Sequence, residues 1–190
     1  LVLDGAHGVG AKKCKKMQEA LGSTLKLELR NDVGAGALNK DCGADHVYRK
    51  KVPPHGVKKT TDAMRRMASF DGDADRVVYH YFDKSGEWHL LDGDKIAALF
   101  ADFLGKEVKA LGLSDDAAPT LAIVQNYYAN GASTSFMKDK MGVPVRFGKT
   151  GVKHLHKIAH QFDIGVYVSV VSVYDIRMLR NTLTHAITQV

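Results

Sequence analysis

Apolar and polar positions along the chain change period several times, and each change marks an element. Leu1, Val2 and Leu3 form a short apolar run, and the glycine-spaced "DGAHGVG" turns it into a helical pattern. On that helix Cys14, Met17 and Leu21 share one face, with Lys12, Lys13, Lys15 and Lys16 outside it. Leu25, Leu27 and Leu29 then alternate with polar residues, as in a half-buried strand. Residues 31–45 read as loop, and a weakly periodic helix is expected within 57–68. "RVVYHYF", "DKSGEW" and "HLL" predict a hairpin. The next stretch, "DGDKIAALFADFLGKEVKALG", predicts a long helix with Ile96, Leu99, Phe100, Phe103, Leu104, Val108 and Leu111 on its apolar stripe.

After the linker-like "LSDDAAPT" the pattern restarts. Strands are expected at "TLAIVQ" and "VPVRF", with helices around "STSFMKDKMG" and "GVKHLHKIAHQF". Two strand–helix series in succession predict an α/β protein of two consecutive three-layer α/β/α domains, residues 1–115 and 116–190, the second truncated. The tail 168–190 predicts a strand and an amphipathic helix with Ile176, Leu179, Leu183 and Ile187 on one face.

Composition narrows the function classes. The 190 residues are 45% hydrophobic, and they contain neither an apolar run of membrane-spanning length nor a basic-then-apolar leader. Cys14 and Cys42 lack metal-ligand spacing, so reduced thiols and a cytoplasmic location are expected. The net charge of +6 fits phosphorylated metabolites or solvated lysine faces. The basic residues are dispersed and not interleaved with aromatics, so no nucleic-acid partner and no membrane partner are expected. Oligomeric state is not legible.

The chemistry concentrates in "SFDGDADRVVYHYF", where Asp71, Asp73 and Asp75 precede Arg76. In an extended loop alternate residues project to one side. Carboxylates about 4–5 Å apart at a dielectric near 20 repel by roughly 3–4 kcal/mol per pair, so three pairs cost on the order of 10 kcal/mol. Protonation, splaying into water or a bound cation must relieve that repulsion. Oxygen donors alone favour Mg²⁺ over zinc or copper. A calcium EF-hand is excluded, because its glycine and glutamate positions hold Arg76 and Phe82. A solvated acidic turn remains open, as does a structural salt bridge from Arg76.

Those residues, with "LLDGDKIAALFADFL", "NDVGAGALNKDCGAD", "QNYYANGAST" and "KTGVKHLHKIAHQFDIGVY", resemble the α-D-phosphohexomutases, in particular the branch acting on acetylglucosamine phosphates. The resemblance covers residue 1 to about Tyr167. It implies that Asp71, Asp73 and Asp75 are metal ligands and that Mg²⁺ is the cofactor. It also puts Arg76 beside a transferring phosphoryl group. Thr150, Gly151, Lys153 and His154 would face a phosphorylated amino sugar, with Lys153 a phosphate contact. The implied activity interconverts N-acetylglucosamine 6-phosphate and 1-phosphate, through a phosphoserine and a bisphosphorylated sugar, towards UDP-N-acetylglucosamine.

Members of the family have four domains, the first carrying the phosphorylated serine and the last a phosphate-binding loop. No serine here, Ser69 and Ser133 included, lies in a matching context, and after Tyr167 the sugar-selecting loop is replaced. This chain alone is therefore expected to turn over negligibly, and to be poorly soluble or self-associating. A mutase acting on glucose, mannose or glucosamine phosphate is the alternative enzyme. A non-catalytic mutase-like interaction module is the alternative of another class. The i, i+4 pair His156 and His160 has too few ligands for zinc, and "DGAHGVG" departs from a dinucleotide turn at His7.

Overall fold

A computed structural model of the chain describes residues 1–114, 116–169 and 172–178. Its contacts divide it into two units, Leu1–Asp92 and Gly93–Val190. The division falls ahead of the long helix, whereas the sequence reading cut after residue 115. The reason is packing: Ala97, Ala101 and Leu104 bury against Leu121, Ile123, Val145, Ile164 and Val166.

In the first unit, β1 (Val2–Asp4), α1 (Val9–Leu21) and β2 (Glu28–Arg30) are followed by α2 (Gly43–Lys50) and a single helical turn, α3 (Lys59–Asp62). Three strands complete it: β3 (Met67–Phe70), β4 (Val77–Phe82) and β5 (Trp88–Leu91). The sheet order is β2-β1-β3-β4-β5; β1 is parallel to β2 and β3, and β3-β4-β5 run antiparallel. Alternate residues divide between two faces. Leu3 and Ala68 pack with Cys14 of α1 on one, while Val2, Met67, Val78 and Phe82 join clusters with Val57, Trp88, Ala44 and Val47 on the other.

The second unit contains α4 (Gly93–Ala110), β6 (Leu121–Asn126), α5 (Gly131–Ser135) running into a π-helical turn, β7 (Val145–Gly148), α6 (Val152–Ala159), β8 (Ile164–Ser169) and β9 (Ser172–Met178). Its sheet order is β7-β6-β8-β9, parallel except for β9. Ile123 and Val166 meet α4 on one face, while Val124 and Tyr167 meet Leu155 and Ala159 of α6 on the other. Each unit thus has helices on both faces of its sheet, the expected three-layer α/β/α arrangement.

Several expectations are corrected. Met17 and Leu21 are exposed, because α1 buries only its Gly10, Ala11 and Cys14 edge. Leu99, Phe103, Leu111 and Val152 are likewise exposed members of their stripes. Residues 43–50, read as loop or left unassigned, form α2. Most of the helix expected within 57–68 is instead one turn followed by β3, whose burial on both faces erases any amphipathic period. Ile176 lies in β9 rather than in a helix. The other proposed tail-helix positions, Leu179, Leu183 and Ile187, lie outside the described residues.

Candidate metal and phosphoryl site

The three aspartates sit on the hairpin loop between β3 and β4. A bond from Asp71 N to Arg76 O, at 3.4 Å, closes that loop. The loop is a tight turn rather than an extended segment: Ala74 N donates to Asp71 O at 3.1 Å, and Ala74 adopts φ 61°. The carboxylates nevertheless converge, with one oxygen from each of Asp71, Asp73 and Asp75 within 4.8 Å of the others. Turn geometry does what strand alternation was expected to do.

The loop lies beyond the carboxyl ends of the parallel pair β1 and β3, where α/β sheets collect ligands. Its back wall is the N-terminus of α1, where Val9 N donates to Gly72 O at 3.1 Å. A Cβ on Gly8 would overlap that carbonyl and lie 2.6 Å from Gly72 Cα; one on Gly10 would lie 2.8 Å from Ala74 Cβ. The "GAHGVG" turn is thus shaped for this approach. Asp4, buried at the end of β1, ties the neighbourhood together: it accepts from Ala6 N at 3.1 Å, Asn31 Nδ2 at 2.9 Å and Gly43 N at 2.7 Å.

Arg76 balances part of the charge. Its backbone N–H donates to Asp71 Oδ1 at 3.1 Å, its Nε to Asp71 Oδ2 at 2.6 Å, and its Nη1 to Asp45 Oδ1 at 3.1 Å. Burial pulls the Asp71 carboxyl upward, but these Arg76 bonds outweigh it and leave it below the usual carboxylate range. Asp75 moves the other way. Desolvation raises it first, and the hydrogen bond with Asp71 and the charges of Asp71 and Asp73 add to the rise. Arg76 thus offsets the charge of Asp71, while burial and the neighbouring carboxylates still work against ionisation of Asp75. The salt bridge to Asp71 left open by the sequence is therefore present, alongside any role in catalysis.

Asp45 was missed by the sequence reading, because nothing local distinguishes it from an ordinary first-turn acid. Arg49 Nε, four residues on, also holds it at 3.0 Å. Ser69, two residues before Asp71, is fully buried against His80 Nε2 at 3.1 Å, and Ser133 Oγ donates to Asp94 O at 3.1 Å. Both hydroxyls serve the scaffold. A second convergence, Asp83, Glu87 and His89, belongs to the β4–β5 turn. There Asp83 accepts from Ser85 Oγ at 2.7 Å and Glu87 N at 2.9 Å, and lies 2.9 Å from His89 Nε2, so the turn's own donors account for it.

Thr150, Gly151, Lys153 and His154 are all exposed in the second unit, where β7 enters α6. Gly151 takes φ 115°, and its carbonyl accepts from His154 N at 3.0 Å, which fixes the start of the helix. His156 and His160 stack edge-on with centroids 4.3 Å apart. Among the described residues no third metal-ligating side chain joins them.

The fold of both units is that of the α-D-phosphohexomutase superfamily, whose solved members match this chain along its whole length at 36% identity. Residues 92–171 match the family model for phosphoacetylglucosamine mutase AMG1, domain III. The chain is 48% identical over 167 residues to the phosphoacetylglucosamine mutase of Sus scrofa and 46% identical to that of Homo sapiens. Each alignment covers 88% of this chain and 30% of the relative. Among solved structures it superposes on Aspergillus fumigatus N-acetylphosphoglucosamine mutase in complex with GlcNAc-6P and magnesium with a TM-score of 0.86. That match has 36% identity and covers 96% of this chain and 37% of the other. A product complex of N-acetylglucosamine-phosphate mutase gives 0.88 at 36% identity, over 100% of this chain and 35% of its own. Within that superfamily the sequence is similar to the phosphoacetylglucosamine mutases, and it spans about 30% of the length of the curated relatives it matches.

Proposed function

We propose that this chain is the metal-binding and sugar-facing portion of a phosphoacetylglucosamine mutase, interconverting N-acetylglucosamine 6-phosphate and 1-phosphate in the cytoplasmic route to UDP-N-acetylglucosamine. One observation carries the reading: three carboxylates within 4.8 Å of one another on a loop that ends in an arginine bonded to the first of them. The donor set is all oxygen and its three carboxylates converge within 4.8 Å of one another, which fits a hard divalent cation such as Mg²⁺. Asp71, Asp73 and Asp75 would hold the ion, which when bound supplies positive charge against the transferring phosphoryl group.

Arg76 is the chain's own contribution to that charge. A guanidinium remains cationic throughout turnover and can shift its donors from Asp71 to phosphoryl oxygens without losing a partner. Thr150, Gly151, Lys153 and His154 would contact the sugar phosphate, with Lys153 as the phosphate contact. By the family resemblance the phosphoryl carrier would be a serine in a context that no serine of these 190 residues matches, and Ser69 and Ser133 are held in internal bonds. The 190 residues alone are therefore expected to have no turnover, because phosphoryl transfer depends on positioning all of its parts together.

A chimera tests this reading. The chain replaces the corresponding segment of the human relative, and mutase activity is assayed with N-acetylglucosamine 6-phosphate and with glucose, mannose and glucosamine phosphates. Activity confined to the acetylated sugar, abolished by Asp73→Asn, is the expected result. Preference for another hexose phosphate would replace the assignment with that mutase. A folded chimera inactive on every sugar would leave the non-catalytic module.

A further inference from the structure

Two aromatic rings of the second unit meet at the carboxyl edge of its sheet. β6 and β7 run parallel and side by side, with Asn126 opposite Gly148. Tyr127 follows the last residue of β6, and Phe147 sits one residue short of the end of β7. Their rings stack with centroids 5.9 Å apart and planes 12° from parallel, and the Lys138 ammonium lies 5.4 Å from the Phe147 centroid. A stacked partner covers one face of a ring and leaves the other bare; Tyr127 remains 71% exposed. Its loop is nevertheless fixed. Ala129 N donates to Asn126 O at 3.2 Å, Tyr128 N to Asn126 Oδ1 at 3.0 Å and Asn130 N to Asp94 Oδ2 at 3.0 Å, and Asn126 and Asp94 are both buried. A bare aromatic face on a preorganised turn is suited to binding, because little ordering is left to do when a ligand arrives.

Position and charge select the occupant. The pair lies at the carboxyl ends of parallel strands, where α/β sheets collect ligands, and the segment from Thr150 to His154 follows directly from β7. From Lys140 to Phe162 the chain carries five lysines or arginines and no aspartate or glutamate, so the surroundings complement an anionic ligand. A pyranose of gluco configuration holds its substituents near the ring plane and turns C–H bonds toward its two faces. Those C–H bonds complement the electron-rich face of an aromatic ring.

We propose that Tyr127, braced by Phe147, is a stacking platform for the pyranose ring of a hexose phosphate. The inference rests on the reading of this chain as the sugar-facing part of a mutase, and it adds a residue that holds the ring itself. Stacking has no donor or acceptor to align, so one surface serves the sugar whichever of its two phosphate positions is presented for transfer. A contact made equally in the bound sugar and in the transition state acts on KM and leaves kcat alone.

Two measurements test the platform. In saturation-transfer NMR of the folded chain with N-acetylglucosamine 6-phosphate, irradiating aromatic protons is expected to label the pyranose C–H signals. Tyr127→Phe keeps the ring face and should keep the transfer, whereas Tyr127→Ala should lose most of it. Tyr127 is exposed, so circular dichroism should be unchanged in both variants. In the chimera with the human relative, Tyr127→Ala is expected to raise KM roughly three- to tenfold in both directions while kcat stays within about twofold. Tyr127→Phe should match the parent, as should Tyr128→Ala, which removes a neighbouring exposed ring from the same loop. The proposal is overturned if the folded chain gives no transfer, if Tyr127→Ala retains it, or if Tyr127→Phe loses as much as alanine, which would assign the contact to the hydroxyl. A fall in kcat with KM unchanged, or a Tyr128→Ala chain that behaves as Tyr127→Ala does, would also overturn it. Transfer that depends on the Tyr127 ring, in a chain whose chimera turns over no sugar, would leave the platform standing and remove the mutase reading instead.

Discussion

Adding one methyl group to Gly8 tests whether the aspartate loop depends on the start of the chain. Gly8 has φ −106°, which any residue adopts, so the backbone itself tolerates alanine. The obstacle is contact: the new Cβ would overlap the Gly72 carbonyl and lie 2.6 Å from its Cα, both backbone atoms that cannot rotate away. Restoring van der Waals separation requires the loop to retreat by about 1 Å. That movement breaks the Val9 N to Gly72 O bond, worth about 0.5–1.5 kcal/mol, and overpacking adds roughly 1–3 kcal/mol. The expected loss is about 2–4 kcal/mol, a fall in Tm of the order of 10 °C. Because the retreating segment carries the carboxylates, Mg²⁺ affinity should fall with stability. The assay pairs a thermal melt with Mg²⁺ calorimetry, using Gly131→Ala as control, since a Cβ there meets nothing within 4 Å. A Gly8→Ala chain that melts and binds Mg²⁺ as wild type does would refute the argument.

Other outcomes follow from the same geometry. In the isolated chain, Asp73→Asn removes an exposed carboxylate and should abolish Mg²⁺ binding in calorimetry with little change in Tm. Burial lowers the pKa of His80 to about 4, so the unfolded chain binds the extra proton between pH 6.5 and 4 and stability falls as pH drops through that window. The loss approaches about 3 kcal/mol, and pH-dependent melts of His80→Gln should be flatter there. Asp62 is fully buried and takes two bonds from Arg30, at 2.7 and 2.8 Å, which hold its carboxyl far below the usual range. That stabilisation is complete above about pH 4 and is lost as pH falls further; Asp62→Asn should cost about 3 kcal/mol in urea titration, at the lower end because Arg30 keeps Glu28.

Sequence made the site more legible than the scaffold around it. Three aspartates two residues apart announce a charge problem wherever they occur, and their convergence was deduced although the assumed conformation was wrong. Hairpin β4–β5 and helix α4 were readable because one face of each is wet and the other dry. β3 was not, since its Met67, Ala68 and Ser69 are all buried and leave no alternation to detect. Asp45 and Asp4 escaped notice for a different reason. Each looks ordinary in its own segment and gains its role from partners 31 and 39 residues away, across the fold.

The packing of Gly8 and Gly10 behind residues 72–74 also bears on how the loop could be reused. A peptide spanning only the hairpin would carry all three clustered aspartates and still lack their wall, because that wall comes from more than sixty residues upstream. The motif is therefore not a portable cassette. Grafting it onto another scaffold requires a helix with two small residues at its tip, and engineers transplanting the aspartates alone should expect an acidic turn without a preformed pocket.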